Sequence, residues 1–162
     1  QPYGFDQWSV FFNKYRVYAS KIKITVWFTV DATQDMPDRI GIIPVRSTTT
    51  LGGLSDSAIM ESNRCKFANL NGWDDSIQRQ IKPTKLKYYM KSRNIVGKLD
   101  PEESSGITGN SGTTPTDVWF WQLHFFNRSG VRYGFDFPGG MHTRCEVVYY
   151  AKLFERKYPD ES

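Results

Sequence analysis

The side chains best suited to chemistry are few and scattered. His124 and His142 are the only histidines, and neither sits in a His-x-His or His-Glu-x-x-His arrangement that would aim two imidazoles at one metal ion. The segment His142-Thr-Arg-Cys145 offers two ligands where a closed zinc site needs four. Cys65 and Cys145 are too few for a disulfide framework and are expected to be reduced, buried, structural thiols on strands. Gly109-Asn-Ser-Gly112 has half of a nucleophile-elbow pattern. It falls in a Ser-, Thr-, Gly- and Pro-rich stretch without the strand–turn–helix context that exposes such a serine, and is expected to be a plain turn. Asp35, Asp38, Asp74, Asp75, Asp100, Glu102 and Glu103 crowd near turns, where carboxylates satisfy backbone donors. The expected catalytic residues, metal ligands and cofactors are therefore none, and the chain reads as something other than an enzyme.

What repeats along the chain is charge opposite hydrophobicity. Lys21 and Lys23 alternate with Ile22, Ile24 and Val26, so they share one side of an extended strand. Lys85, Lys87, Lys91 and Arg93 alternate in the same way with Leu86, Tyr88 and Met90. These six cations are candidate phosphate or polyanion ligands, with Trp27 and Tyr89 on the same sides able to stack on unpaired bases. The plainer reading is a solvated lysine edge that deters aggregation. Trp119, Trp121 and Phe126 belong to a segment, 118–126, that is apolar on both faces, as expected of a strand buried on both sides or packed against another subunit. They are the candidate subunit-interface residues.

Period-two patterns supply the elements that must position these groups. In 18–31 the even positions Tyr18, Ser20, Ile22, Ile24, Val26, Phe28 and Val30 form the inward side. In 131–137 and 145–153 the odd positions do, which turns Cys145, Val147, Tyr149 and Leu153 inward. Shorter strands fit 39–45, where Pro44 suggests an edge or bulge, and 65–70. Helical spacing appears only over 5–15, with Phe5, Trp8, Phe11, Phe12 and Tyr15, and over 55–63. The stretch 101–115 reads as a long surface loop. Seven strands and little helix predict an all-β sandwich or barrel.

The 162 residues fit one domain, 1–162. With 39% apolar and 15% aromatic residues the chain has the material for a core, which argues against disorder. Net charge of +4 favours anionic partners without reaching the density of a condensing tail. No run approaches the ~18 apolar residues of a membrane span, so no membrane partner is expected.

Two long segments resemble one family. Gln1–Phe28, QPYGFDQWSVFFNKYRVYASKIKITVWF, is similar to the segment of many circular Rep-encoding single-stranded DNA virus capsid proteins in which a Pro-x-Gly-Phe-Asp-Gln turn leads into Tyr-x-x-Tyr-x-Val and Ser-Lys-Ile-Lys. Pro2, Gly4, Phe5, Asp6, Gln7, Tyr15, Val17, Ser20, Lys21, Ile22 and Lys23 stand at the matching places. VVYYAKLFERKYPDES, 147–162, resembles the last strand and tail of the same proteins, and 93–125 resembles the loop and aromatic strand between. The resemblance implies an eight-strand viral jelly roll with short helices in its loops. It also implies self-association into an icosahedral shell of about sixty copies around a circular single-stranded DNA genome, hence a virion protein. Outward-facing lysines would meet host sulfated glycans instead. In that family a basic arm and a first strand precede the Gly-Phe-Asp-Gln turn, and this sequence is expected to lack both. An aromatic-rich β-sandwich also fits a carbohydrate-binding module or lectin, which assembly state would distinguish.

Overall fold

Alternating aliphatic and polar side chains build the longest strand, β1 (Phe12–Phe28), and the nearly as long last strand, β9 (Met141–Arg156). The computed structural model describes residues 5–28, 37–46, 59, 61–70, 73–74, 79–80, 82–97, 105–126 and 141–158. Between the long strands lie β2 (Arg39–Val45), β3 (Lys66–Asn69), β4 (Trp73–Asp74), β5 (Arg79–Gln80), β6 (Thr84–Lys91), β7 (Thr108–Asn110) and β8 (Phe120–Phe126). Among the described residues helix is confined to α1 (Phe5–Ser9), α2 (Ser92–Val96), a 3-10 turn at Ser105–Ile107, and Ile59 and Glu61 within the expected 55–63 turn. One sheet has the order β6-β1-β7 with β9 also paired to β1; a second has β3-β2-β8; β4 and β5 form a two-stranded ribbon. The chain is thus all-β, with antiparallel pairing and short helices, as its periodicity predicts. The expected strand at 131–137 lies outside the described residues.

The chain divides into two compact units, and β1, β6 and β9 give a stretch to each. In the unit formed by 22–88 and 120–146, two sheets bury one core. Ile22, Ile24 and Val26 of β1 and Leu86 of β6 pack with Ile40 and Ile42 of β2 and Phe125 of β8, and Met141, Tyr88, Trp121 and Leu123 close its margin. Removing such side chains from water stabilises by roughly 1.5–3 kcal/mol each. The opposite face of β2 is buried too. Ile43 and Val45 meet Ile59 and Phe126, flanked by Cys65 and Phe67. Gly41 makes this second cluster possible, because a Cβ there would stand 2.7 Å from the Phe67 ring. Pro44 lies in the middle strand of its sheet, not at an edge. Pairing of β2 with β3 stops at Ile42 opposite Lys66, so the missing proline N–H forfeits no bond on that side.

In the unit formed by 1–21, 89–119 and 147–162, α1 stops at Ser9 and the chain is extended from Phe12. The predicted helix over 5–15 is thus cut short by strand pairing. The Lys157 N–H bonds to the Phe11 carbonyl at 2.8 Å, and Lys14 is paired with Glu155. The stretch 101–115 is likewise not all loop. Thr108, Gly109 and Asn110 pair with Arg16, Tyr15 and Lys14. Gly109 permits it, since a Cβ would meet the Tyr15 ring at 2.7 Å. The turn expected at Gly109–Gly112 forms beside it, with Thr113 N–H on Asn110 O at 2.9 Å and Gly112 at φ 87°.

Two expectations about facing fail. Along β1, Ala19 and Ser20 are both buried while Tyr18 is 45% exposed. The alternation therefore slips by one residue, as at a β-bulge, and Tyr18 joins the outer side with Lys21 and Lys23. On β9, Cys145, Val147 and Tyr149 are exposed rather than inward. Periodicity separates two faces but does not say which one finds a partner layer, and among the described residues β9 gives the first core only Met141.

Candidate polyanion-binding face

Strand alternation sets the cations of the first unit opposite its core. Lys85 and Lys87 flank the buried Leu86 and are exposed, and Lys23 lies half-buried between Ile22 and Ile24. β1 and β6 are paired neighbours, as the two-strand reading requires. Lys23 is not an unpaired cation, however. Its Nζ donates to Glu146 Oε2 on β9 at 3.1 Å, and Arg144 Nε reaches the other carboxylate oxygen at 3.1 Å. The Lys23 hydrogen bond and charge, helped by Arg144 and Lys87, hold the Glu146 carboxyl below its ordinary range. Three cations thus surround one carboxylate. Lys66 of β3 adds a fourth positive group by donating to the Lys87 carbonyl at 2.8 Å. Trp27 stacks on His142, ring centroids 5.6 Å apart and 14° from parallel. Arg144, Glu146 and Lys66 were not among the predicted residues. The signal for the first two was the polar even series His142, Arg144, Glu146, masked by an odd series that looked like a core face.

In the second unit Lys21 is half-buried and Lys91 exposed at the end of β6. Arg93 does not continue that strand. It lies in α2, whose Ser92, Ile95 and Val96 turn inward and whose end is set by Gly97 at φ 77°. The helix period replaces the strand period from Ser92 onward, so Arg93 follows a different geometry from Lys85 and Lys87.

The three predicted interface residues separate. Phe126 is fully buried, packed edge-on to Phe67 at 5.7 Å, and is a core residue, not a contact residue. Its strand is apolar on both faces because this end of β8 has a cluster on each side: Phe125 in one and Phe126 in the other. Trp121 is half-buried against the first core and lies 5.3 Å from the Tyr88 ring. Trp119 precedes β8, and its indole N–H donates to Ser92 Oγ. Among the described residues no three His, Cys, Asp or Glu side chains converge as metal ligands, and no helix is long and apolar enough to cross a membrane. No protein-family model matches the sequence, and no curated protein matches it.

Proposed function

We propose that this chain is a non-enzymatic coat subunit with a jelly-roll β-sandwich fold. It self-assembles into a small icosahedral shell of about sixty copies around a circular single-stranded DNA genome. The supporting observation is uncovered apolar surface: Val147, Val148 and Tyr149 are 37%, 50% and 48% exposed in succession. Consecutive strand residues point to opposite faces, so β9 is apolar and open on both sides there. Trp8, Val10 and Phe11 add a second exposed group at 56%, 64% and 54%. Apolar surface of this kind on a soluble chain marks a site of association. The sequence resemblance supplies the kind of assembly, and the lysine-bearing face supplies a surface for the genome or, if outward, for sulfated host glycans.

Negative-stain electron microscopy and light scattering of the purified protein test the reading. Uniform closed particles are expected, and Val148→Asp should reduce the protein to small species with an unchanged circular dichroism spectrum. A wild-type protein that stays monomeric or dimeric at high concentration, and binds neutral oligosaccharide, would replace the coat reading with a carbohydrate-binding one. A Lys85→Ala, Lys87→Ala pair should assemble normally yet elute from heparin at lower salt.

A further inference from the structure

Three phenol rings meet on the outer side of the second unit's sheet. Tyr150 of β9 lies 6.2 Å from Tyr18 of β1, tilted 48°, and 5.7 Å from Tyr89 of β6, at 77°. The three strands are joined through β1, to which both β6 and β9 pair. Tyr18 and Tyr89 each keep 45% of their surface exposed, and Tyr150 is half-buried as the central ring. A cluster serving only as core would not leave two of its three rings open. Each tyrosine is also followed on its own strand by a lysine: Lys21, Lys91 and Lys152. Lys91 and Lys152 come two residues later and so share the tyrosine's side. Lys21 shares it because the slip at Ala19 puts Tyr18 in phase with the odd positions beyond.

We propose that Tyr18, Tyr89 and Tyr150, with Lys21, Lys91 and Lys152, form a binding site for single-stranded nucleic acid. Unpaired bases stack on the tyrosine rings and the lysines hold the adjoining phosphates. Every base presents a π-face, so stacking of this type tolerates any sequence, while the lysines make binding depend on salt. A neutral glycan would use the rings and leave the lysines idle. A sulfated glycan would use the lysines and leave the rings idle. The pairing of ring and lysine on three strands fits a ligand with alternating planar and anionic parts. The site deepens the coat reading and rests on it only for the source of the strand.

Fluorescence anisotropy on the full chain decides the matter with three probes: a thymidine oligonucleotide, an abasic deoxyribose-phosphate chain of equal length, and a heparin oligosaccharide. The wild type is expected to prefer the thymidine strand to the abasic one. Tyr89→Leu and Tyr18→Leu should each weaken thymidine binding about tenfold while abasic and heparin binding stay unchanged. Tyr89→Trp should retain the preference, and Lys91→Ala should weaken all three ligands and flatten the salt slope. No preference for bases in the wild type, equal loss of all three ligands in Tyr18→Leu, or displacement of the strand by neutral oligosaccharide would each overturn the proposal. Particles scored in parallel separate the two readings: base-dependent binding without particles removes the coat role and keeps this site, and particles without base-dependent binding do the reverse.

Discussion

The Trp119 indole N–H donates to the Ser92 hydroxyl at 3.1 Å, and that hydroxyl in turn donates to the Val17 carbonyl at 2.8 Å. A single oxygen, 1% exposed with its residue, ties β1, α2 and the approach to β8 within one unit. Ser92→Ala leaves the half-buried indole donor and the carbonyl without this partner. It should destabilise by about 1–3 kcal/mol in urea denaturation, with a shift in tryptophan emission that Ser92→Thr largely avoids.

Phe126 was expected at a subunit contact and is instead sealed between Phe67 and the aliphatic side chains of its cluster. Phe126→Ala should therefore cost about 3–5 kcal/mol of folding stability, seen as a lower denaturation midpoint at any protein concentration. A loss that appeared only in assembly, with the monomer's midpoint unchanged, would return the residue to the interface.

Glu146 is set among Lys23, Arg144 and Lys87. Its folded pKa is depressed, so its stabilising contribution is present above the unfolded value and fades as pH falls through the folded one. Glu146→Gln should flatten stability against pH in that acidic range, measured by thermal melts. At neutral pH the same change removes a negative charge from the lysine face, so heparin elution should move to higher salt.

The two thiols differ in environment. Burial pushes Cys65 up to about 11, which lowers its thiolate fraction at pH 8 roughly hundredfold. Its contribution to stability is present below the unfolded value and lost as pH rises through about 11. Cys145 is exposed on β9, its thiol also raised by partial cover and by Glu146. A thiol reagent at pH 8 should label Cys145 in the folded protein and Cys65 only after denaturant is added, as read by peptide mass spectrometry.

Strands were legible where an aliphatic series had a clear polar counterpart. β2 runs over the predicted 39–45, and Lys85 and Lys87 flank Leu86 as their spacing says. Features set by a neighbour were not legible. β7 hides in a Ser- and Gly-rich stretch because its pairing depends on Gly109 passing under Tyr15, a contact between distant parts of the chain. Arg93 looked like one more strand residue until α2 began at Ser92. Val147 and Tyr149 look like core residues in any sequence, yet β9 is open on both sides there. Their side-chain types do not tell that they are exposed.

The slip at Ala19 behaves like a dislocation in a crystal row: order is intact on both sides of it, but the two halves are out of step by one place. Deleting Ala19 would heal the defect and restore strict alternation, and the healed strand would be worse. With 20–28 held in place by Ile22, Ile24 and Val26, every residue before the deletion would change faces. Tyr18 would turn inward, away from Tyr150, and the Lys14, Tyr15 and Arg16 register with Asn110, Gly109 and Thr108 would be displaced. One small residue thus sets the phase of half a strand, and an apparent flaw in its pattern is what lets a single strand serve two different surroundings.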